Sequence, residues 1–200
     1  MISSKSRLSK TLSTVKSFVK PKLRLRQYLT PPVIAAELLW TAYMNDDISG
    51  KIVFDLGAGT GMLSIGASLL DGDVTGFEFD GDAIKVAIIN AQLLGVNIII
   101  FEQDVDSVTG YCDTVIMNPP FMVQGGKNDR VFLKKAFSLC SQVYSIHNSQ
   151  TRDWVKQFAL ENGFNPILIS SREFPLPKEY AHQSKLKGVQ RVDLWFFHKV

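Results

Sequence analysis

The stretch KIVFDLGAGTG (residues 51–61) is the one whose reading decides the fold. Its first half is a short apolar run with the length and composition of a buried strand, and it breaks at glycine. Three glycines then alternate through 57–61, ahead of a segment with helical spacing over roughly 61–70. Outward from this strand–loop–helix unit the same alternation repeats. Strands are predicted over 73–79, 97–104, 112–118, 142–147, 165–173 and 190–199. Helices are predicted from Pro32 to residue 44, over 82–94 with Gly95 as its stop, and over 129–140 and 151–161. Alternation of this kind builds a doubly wound, mostly parallel α/β sheet with helices on both faces. Such sheets bind ligands beyond the carboxyl ends of their strands. Asp55 to Gly61, Glu78, Asp104 and the corner Asn118 to Phe121 all fall on those ends.

The totals fit one domain with a tail. The chain has 200 residues, 46% apolar and 20% charged, enough for a real core. Its net charge of +3 hides an asymmetry, because residues 1–26 hold eight basic residues and no acidic one, leaving the rest at −5. Residues 1–26 are therefore read as a basic arm, partly helical or disordered, that contacts a polyanion, and residues 27–200 as the globular domain. Leu8, Leu12, Val15 and Val19 recur at helical spacing, which suits docking on the protein's own body or an amphipathic helix on a membrane surface. No apolar stretch approaches the roughly 20 residues of a membrane span, and no secretory signal is evident. Cys112 and Cys140 lack metal-ligand spacing and read as reduced cytosolic thiols, and His147, His182 and His198 do not cluster with them. No metal and a cytoplasmic location are the expectations.

Glycines in the loop permit a tight turn and close approach of a ligand to backbone. The pattern is Gly57-x-Gly59-x-Gly61 rather than the dinucleotide fingerprint, with Asp55 just ahead of it. A carboxylate there suits a ligand with a cationic end better than two phosphates. Glu78 stands 19 residues beyond Gly59, the spacing of an acid that binds ribose hydroxyls. A nucleoside with a positive end satisfies both, and S-adenosyl-L-methionine is such a molecule. Asp104 ends the third strand, where a carboxylate can accept from an adenine amino group.

DTVIMNPPF (113–121) ends a predicted buried strand in a rigid corner. The amino group on a nucleobase is a poor nucleophile because its lone pair is delocalised into the ring. The Asn118 amide oxygen and the Pro119 carbonyl can accept its two hydrogens, Pro119 and Pro120 hold the acceptors still, and Phe121 can stack on the base. A base in a duplex would first have to be flipped out.

Together, DLGAGTG, GFEFDGDA, the aspartate after strand three and DTVIMNPPF resemble a class I, Rossmann-like S-adenosyl-L-methionine methyltransferase of the amino-methylating kind. RQYLTPPVIAAELLW, MNPPF, FLKKAF and VYSIH narrow the resemblance to an archaeal and eukaryotic family that methylates adenine N6 in small-subunit ribosomal RNA. It runs from about Gln27 to the C-terminus. It implies a seven-stranded sheet with the last strand antiparallel. It also implies Gln27 and Thr30 closing over the cofactor, and Gly57, Thr60, Met62, Glu78 and Asp104 lining its site. Asn118, Pro119, Pro120 and Phe121 would then form the target-amine pocket. Arg26 departs from the family, which usually has an acidic residue there. Eukaryotic relatives work with a small zinc-binding activator subunit.

The same corner serves guanine N2, DNA adenine and protein glutamine amide methylation, and a non-catalytic cofactor-binding RNA assembly factor or a nicotinamide-dependent oxidoreductase are further readings. The basic arm favours nucleic acid, and the lack of a separate DNA-reading domain favours RNA. The loop 122–130, with Lys178, His182, Lys185 and Lys187 in 175–188, is expected to add phosphate contacts, and His147 to be structural.

Overall fold

The computed structural model of the chain describes residues 2–120, 127–175 and 189–200. Phe121, most of the loop 122–130 and the lysines of 175–188 lie outside the described residues. The central strand is β1 (Ile52–Leu56), followed by β2 (Asp73–Glu78), β3 (Ile99–Glu102), β4 (Thr114–Met117), β5 (Gln142–Asn148), β6 (Phe164–Pro175) and β7 (Val189–Lys199). They form a seven-stranded sheet in the order β3-β2-β1-β4-β5-β7-β6. All neighbours are parallel except those of β7, which runs antiparallel to both β5 and β6. The expected doubly wound sheet with an antiparallel last strand is thus what forms.

Helices α1 (Lys5–Leu12), α2 (Pro32–Met44), α3 (Met62–Ser68) and α4 (Gly81–Leu94) contribute to a core on one face with Val53, Ile116, Tyr144 and Leu194. Helices α5 (Lys127–Leu139) and α6 (Arg152–Glu161) cover Phe54, Leu56, Val115 and Phe197 on the other. The alternation Val53/Phe54 and Val115/Ile116 between the two cores is the period-2 signature of a strand buried on both faces.

The N-terminal segment shares this core. Ser4 caps α1 by accepting from the Arg7 amide, and Leu8, Leu12 and Val15 are buried against α2 and α3. Each such side chain contributes about 1.5–3 kcal/mol on burial, so the apolar stripe docks the arm on the body. Val19, the fourth member of the predicted stripe, is 80% exposed instead. Elsewhere Arg172 clamps Glu37 of α2 through two bonds of 2.6 and 2.7 Å, and Arg152 holds Asp193 of β7 at 2.7 and 2.8 Å. The third strand is shorter than the predicted 97–104, because Asp104 leaves the ladder to cap a 3-10 turn at Val105–Ser107.

Strand register then decides what meets at the carboxyl rim. Leu56 pairs with Phe77 on one side and Met117 on the other, so Gly57, Glu78 and Asn118 each stand one residue past a shared row. The order reverses between β1 and β4, which opens the crevice beside them. Among the described residues no helix is long and apolar enough to cross a membrane, and no cluster of three metal-ligating side chains occurs.

Candidate active site

A cavity of about 410 Å³ fills that crevice. Of the residues singled out in the sequence, Gln27, Thr30, Asp55, Gly57, Gly59, Thr60, Met62, Glu78, Asp104, Asn118 and Pro120 line it. Two do not. Gly61 caps α3 and faces α4, where an added Cβ would come within 3.2 Å of Ala87, so it serves helix packing. Pro119 is buried behind the corner.

The loop from β1 to α3 turns through glycines in left-handed backbone, with φ of +77° at Gly57 and +55° at Gly59. The Gly59 amide donates to Glu78 Oε2 at 2.8 Å, and the Asp80 amide to Oε1 at 2.9 Å. Burial holds the Glu78 carboxyl above its usual range despite these bonds. Asp104 lines the cavity while its Oδ1 accepts from the Asp106 amide at 3.0 Å.

Asp55 is fully buried. Its Oδ2 accepts from Ser64 Oγ at 2.6 Å, while Oδ1 has no partner among the described residues. Burial pushes this carboxyl up to about 7, against the hydrogen bonds from Ser64. An unpaired, desolvated carboxylate on a cavity wall is complementary to a cation.

The N-terminal segment supplies a wall the sequence did not reveal. Asn90, in the middle of α4, accepts from the Lys16 amide at 2.9 Å. Its Nδ2 donates to the Lys16 and Thr60 carbonyls at 3.0 and 2.9 Å. That stitches the arm to the glycine loop and sets Phe18 over Gly59 on the cavity wall. Lys22 Nζ bonds Asp80 at 2.5 Å and Asp82 at 2.9 Å, and Gln27 Nε2 donates to the other Asp80 oxygen at 2.6 Å. Burial would raise the Asp80 carboxyl, but these partners outweigh it and hold the group below its usual range. Phe132 of α5 completes the wall opposite, against Gly57. The one sequence signal for Asn90 is a polar residue directly after the apolar run Val86–Ile89 of the predicted helix.

At the corner, Asn118 Nδ2 donates to Thr30 Oγ1 at 2.8 Å. Its Oδ1 is buried and has no partner among the described residues. The corner therefore offers an acceptor, with the donor end of the amide already engaged. A second polar group, Ser145–His147–Asp129, is joined by contacts of 2.7 and 3.2 Å. All three side chains are fully buried and off the cavity wall, so they tie the start of α5 to β5 rather than act on a substrate.

The geometry has counterparts in known proteins. A family model of the methyltransferase small domain matches residues 34–140. The rRNA N(6)-adenosine-methyltransferase Mettl5 of Drosophila melanogaster is 37% identical, with 96% of this chain and 94% of that protein covered. The rRNA N(6)-adenosine-methyltransferase METTL5 of Danio rerio is 39% identical over 92% of this chain and 93% of its own. A crystal structure from Pyrococcus horikoshii, of a protein assigned as an RNA methyltransferase, superposes with a TM-score of 0.86 at 41% identity. It covers 100% of this chain and 98% of the other.

Proposed function

The chain belongs to the methyltransferase small domain family and is an S-adenosyl-L-methionine-dependent methyltransferase, and we propose that its acceptor is the N6 amine of an unpaired or flipped-out adenine in ribosomal RNA. The observation that carries an amine as acceptor is the buried, unpartnered Oδ1 of Asn118, a residue that lines the cavity, and the N6 of adenine is supported by the similarity to rRNA N(6)-adenosine-methyltransferases.

The cavity residues fit the cofactor. Asp55 Oδ1 is an orphan acceptor suited to its ammonium end, and Glu78 is fixed by two backbone amides with lone pairs left over for hydroxyls. Asp104 stands on the same wall as the candidate acceptor for adenine. When bound, S-adenosyl-L-methionine supplies an electrophilic methyl group. The chain's own residues do the positioning. Asn118 Oδ1 takes one of the amine hydrogens, which aligns the nitrogen lone pair and favours its pyramidal form. The proline pair keeps this acceptor from relaxing, so the effect is pre-organisation rather than proton abstraction.

Two partners follow. Lys16, Lys20, Arg24 and Arg26 on the docked arm are exposed, and Arg26 borders the cavity, which supports a phosphate-bearing substrate. Lys22 is spent on Asp80 and Asp82 and is not counted among these contacts. The edge strand β3 exposes Ile99 and Phe101 at 56% and 53%, and the neighbouring helix α4 exposes Leu93 at 62%. An apolar open edge of this kind supports a protein partner, the small zinc-binding activator subunit.

Incubation with labelled methyl donor and total RNA, followed by mass spectrometry of the nucleosides, tests the acceptor. N6-methyladenosine is the expected product. N2-methylguanosine, or label confined to DNA or protein, would overturn the adenine assignment.

A further inference from the structure

The amino end of the sheet, opposite the cavity, brings two thiols together. Thr114 of β4 pairs with Gln142 of the parallel β5, and Cys112 and Cys140 each stand two residues ahead of that row. Neighbouring strands run about 4.8 Å apart, within the Cα separation of roughly 4.4–6.8 Å that a disulfide spans. Cys112 is buried in the core beneath α5, while Cys140, just past the end of that helix, packs against the same core and stays partly exposed. Both line a separate concavity of about 280 Å³, with Tyr111, Asp113, Ser138 and Lys199 around them. Cys140 Sγ donates to the Gln142 carbonyl at 3.0 Å. The neighbouring Cys112 thiol holds Cys140 below the ordinary thiol range against the effect of burial, and the same contact, with burial, pushes Cys112 up. Methyl transfer uses neither sulfur.

We propose that Cys112 and Cys140 form a redox site, a dithiol that a hydroperoxide closes into an intrachain disulfide and that an added thiol reopens. Cys140 is the attacking sulfur, because it is the one that solvent reaches and the thiolate is the nucleophile. Its thiolate takes one oxygen of hydrogen peroxide as the O–O bond breaks, and the departing hydroxide takes up the thiol's proton and leaves as water. Cys112 then attacks the sulfenic sulfur, and the OH group leaves with the Cys112 proton as a second water. Two thiols and one peroxide become one disulfide and two waters, with two electrons passing from sulfur to oxygen. Burial of Cys112 keeps it from sulfurs of other molecules, so the bond closes within one chain. The ring runs over 28 residue positions and takes in the Asn118 corner and the whole of α5. Closing a loop of that length in the unfolded chain favours the folded state.

The test treats the whole chain, reduced and then freed of reductant, with a small excess of hydrogen peroxide. Both free thiols should disappear, proteolytic peptides carrying Cys112 and Cys140 should appear joined, and dithiothreitol should restore both thiols. The oxidised protein should melt roughly 5–15 °C above the reduced one. Cys112→Ser should show no such rise, and its Cys140 should stop at the sulfenic acid, which dimedone traps. Thiols that stay free would overturn the proposal. So would a disulfide found only between two copies of the chain, oxidation that dithiothreitol does not reverse, or an oxidised form that melts no higher than the reduced one. The peptide map and melts of the wild-type protein carry the comparison should Cys112→Ser fail to fold.

Discussion

Replacing Asp55 with Asn should stabilise the unliganded protein and weaken its hold on the cofactor at the same time. Asp55 is completely buried, and its two bonds from Ser64 leave Oδ1 unpaired. Burial moves the carboxyl from its ordinary 3.8 to about 7. The folded-state value lies above the unfolded one, so the unfolded chain ionises first as pH rises. Between those two values stability is lost, not gained. At about 1.36 kcal/mol per unit, the cost reaches roughly 4 kcal/mol at about pH 8 and falls below about 1 kcal/mol near pH 4. A neutral Asn keeps an acceptor for Ser64 and escapes the cost. In a protein of this size that corresponds to a Tm higher by roughly 8–16 °C near pH 8 and almost no difference near pH 4. With cofactor the order reverses, because a cation facing Asp55 stabilises the ionised form. Wild-type affinity should fall as pH drops below about 7, with one proton released on binding, whereas the Asn variant should bind about 10- to 100-fold more weakly near pH 8 and show no such slope. Thermal melts across that pH range, with and without cofactor, and calorimetric Kd values read both effects. An Asn variant that melts below wild type near pH 8, or binds with wild-type affinity, would refute the reasoning.

Asn90→Ala removes three hydrogen bonds between the arm, α4 and the glycine loop. Chemical denaturation should show a loss of roughly 2–4 kcal/mol, with a weaker cofactor Kd because Phe18 is released from Gly59; an unchanged Kd would mean the arm is no part of the cofactor wall. Lys20→Glu combined with Arg24→Glu should lower RNA affinity and flatten its dependence on salt by about one unit of slope per residue, while leaving cofactor Kd unchanged. A salt slope equal to wild type in filter-binding titrations would show that these side chains do not meet phosphate.

What was legible in the sequence follows from strand periodicity. Once β1 and β4 are recognised as buried strands, Gly57 and Asn118 are bound to share a rim, and the alternation of strands and helices yields the sheet class. Glu78 joins them because β2 pairs with β1 in the same register. Side-chain pairings between distant segments carry no such local signal. Lys22 reads as one more charge of a basic arm, yet it is matched to Asp80, 58 residues away, and the Asn90 bonds to Lys16 span 74. Gly61 has the spacing of a ligand loop, but its missing Cβ makes room for Ala87. The apolar stripe from Leu8 to Val15 predicts a docked helix without saying where it lands; Leu12 meets α3 at Gly66. Physical proximity to Asn118 likewise separates Thr30 from the Gln27 with which sequence position groups it.

Methyl transfer by Asn118→Ala, with cofactor Kd measured on the same preparation, tests most directly whether the corner after β4 positions the reacting amine. Turnover should fall by at least about 100-fold while Kd stays within about twofold. Turnover equal to wild type would contradict the account, since it would mean the amine is held elsewhere.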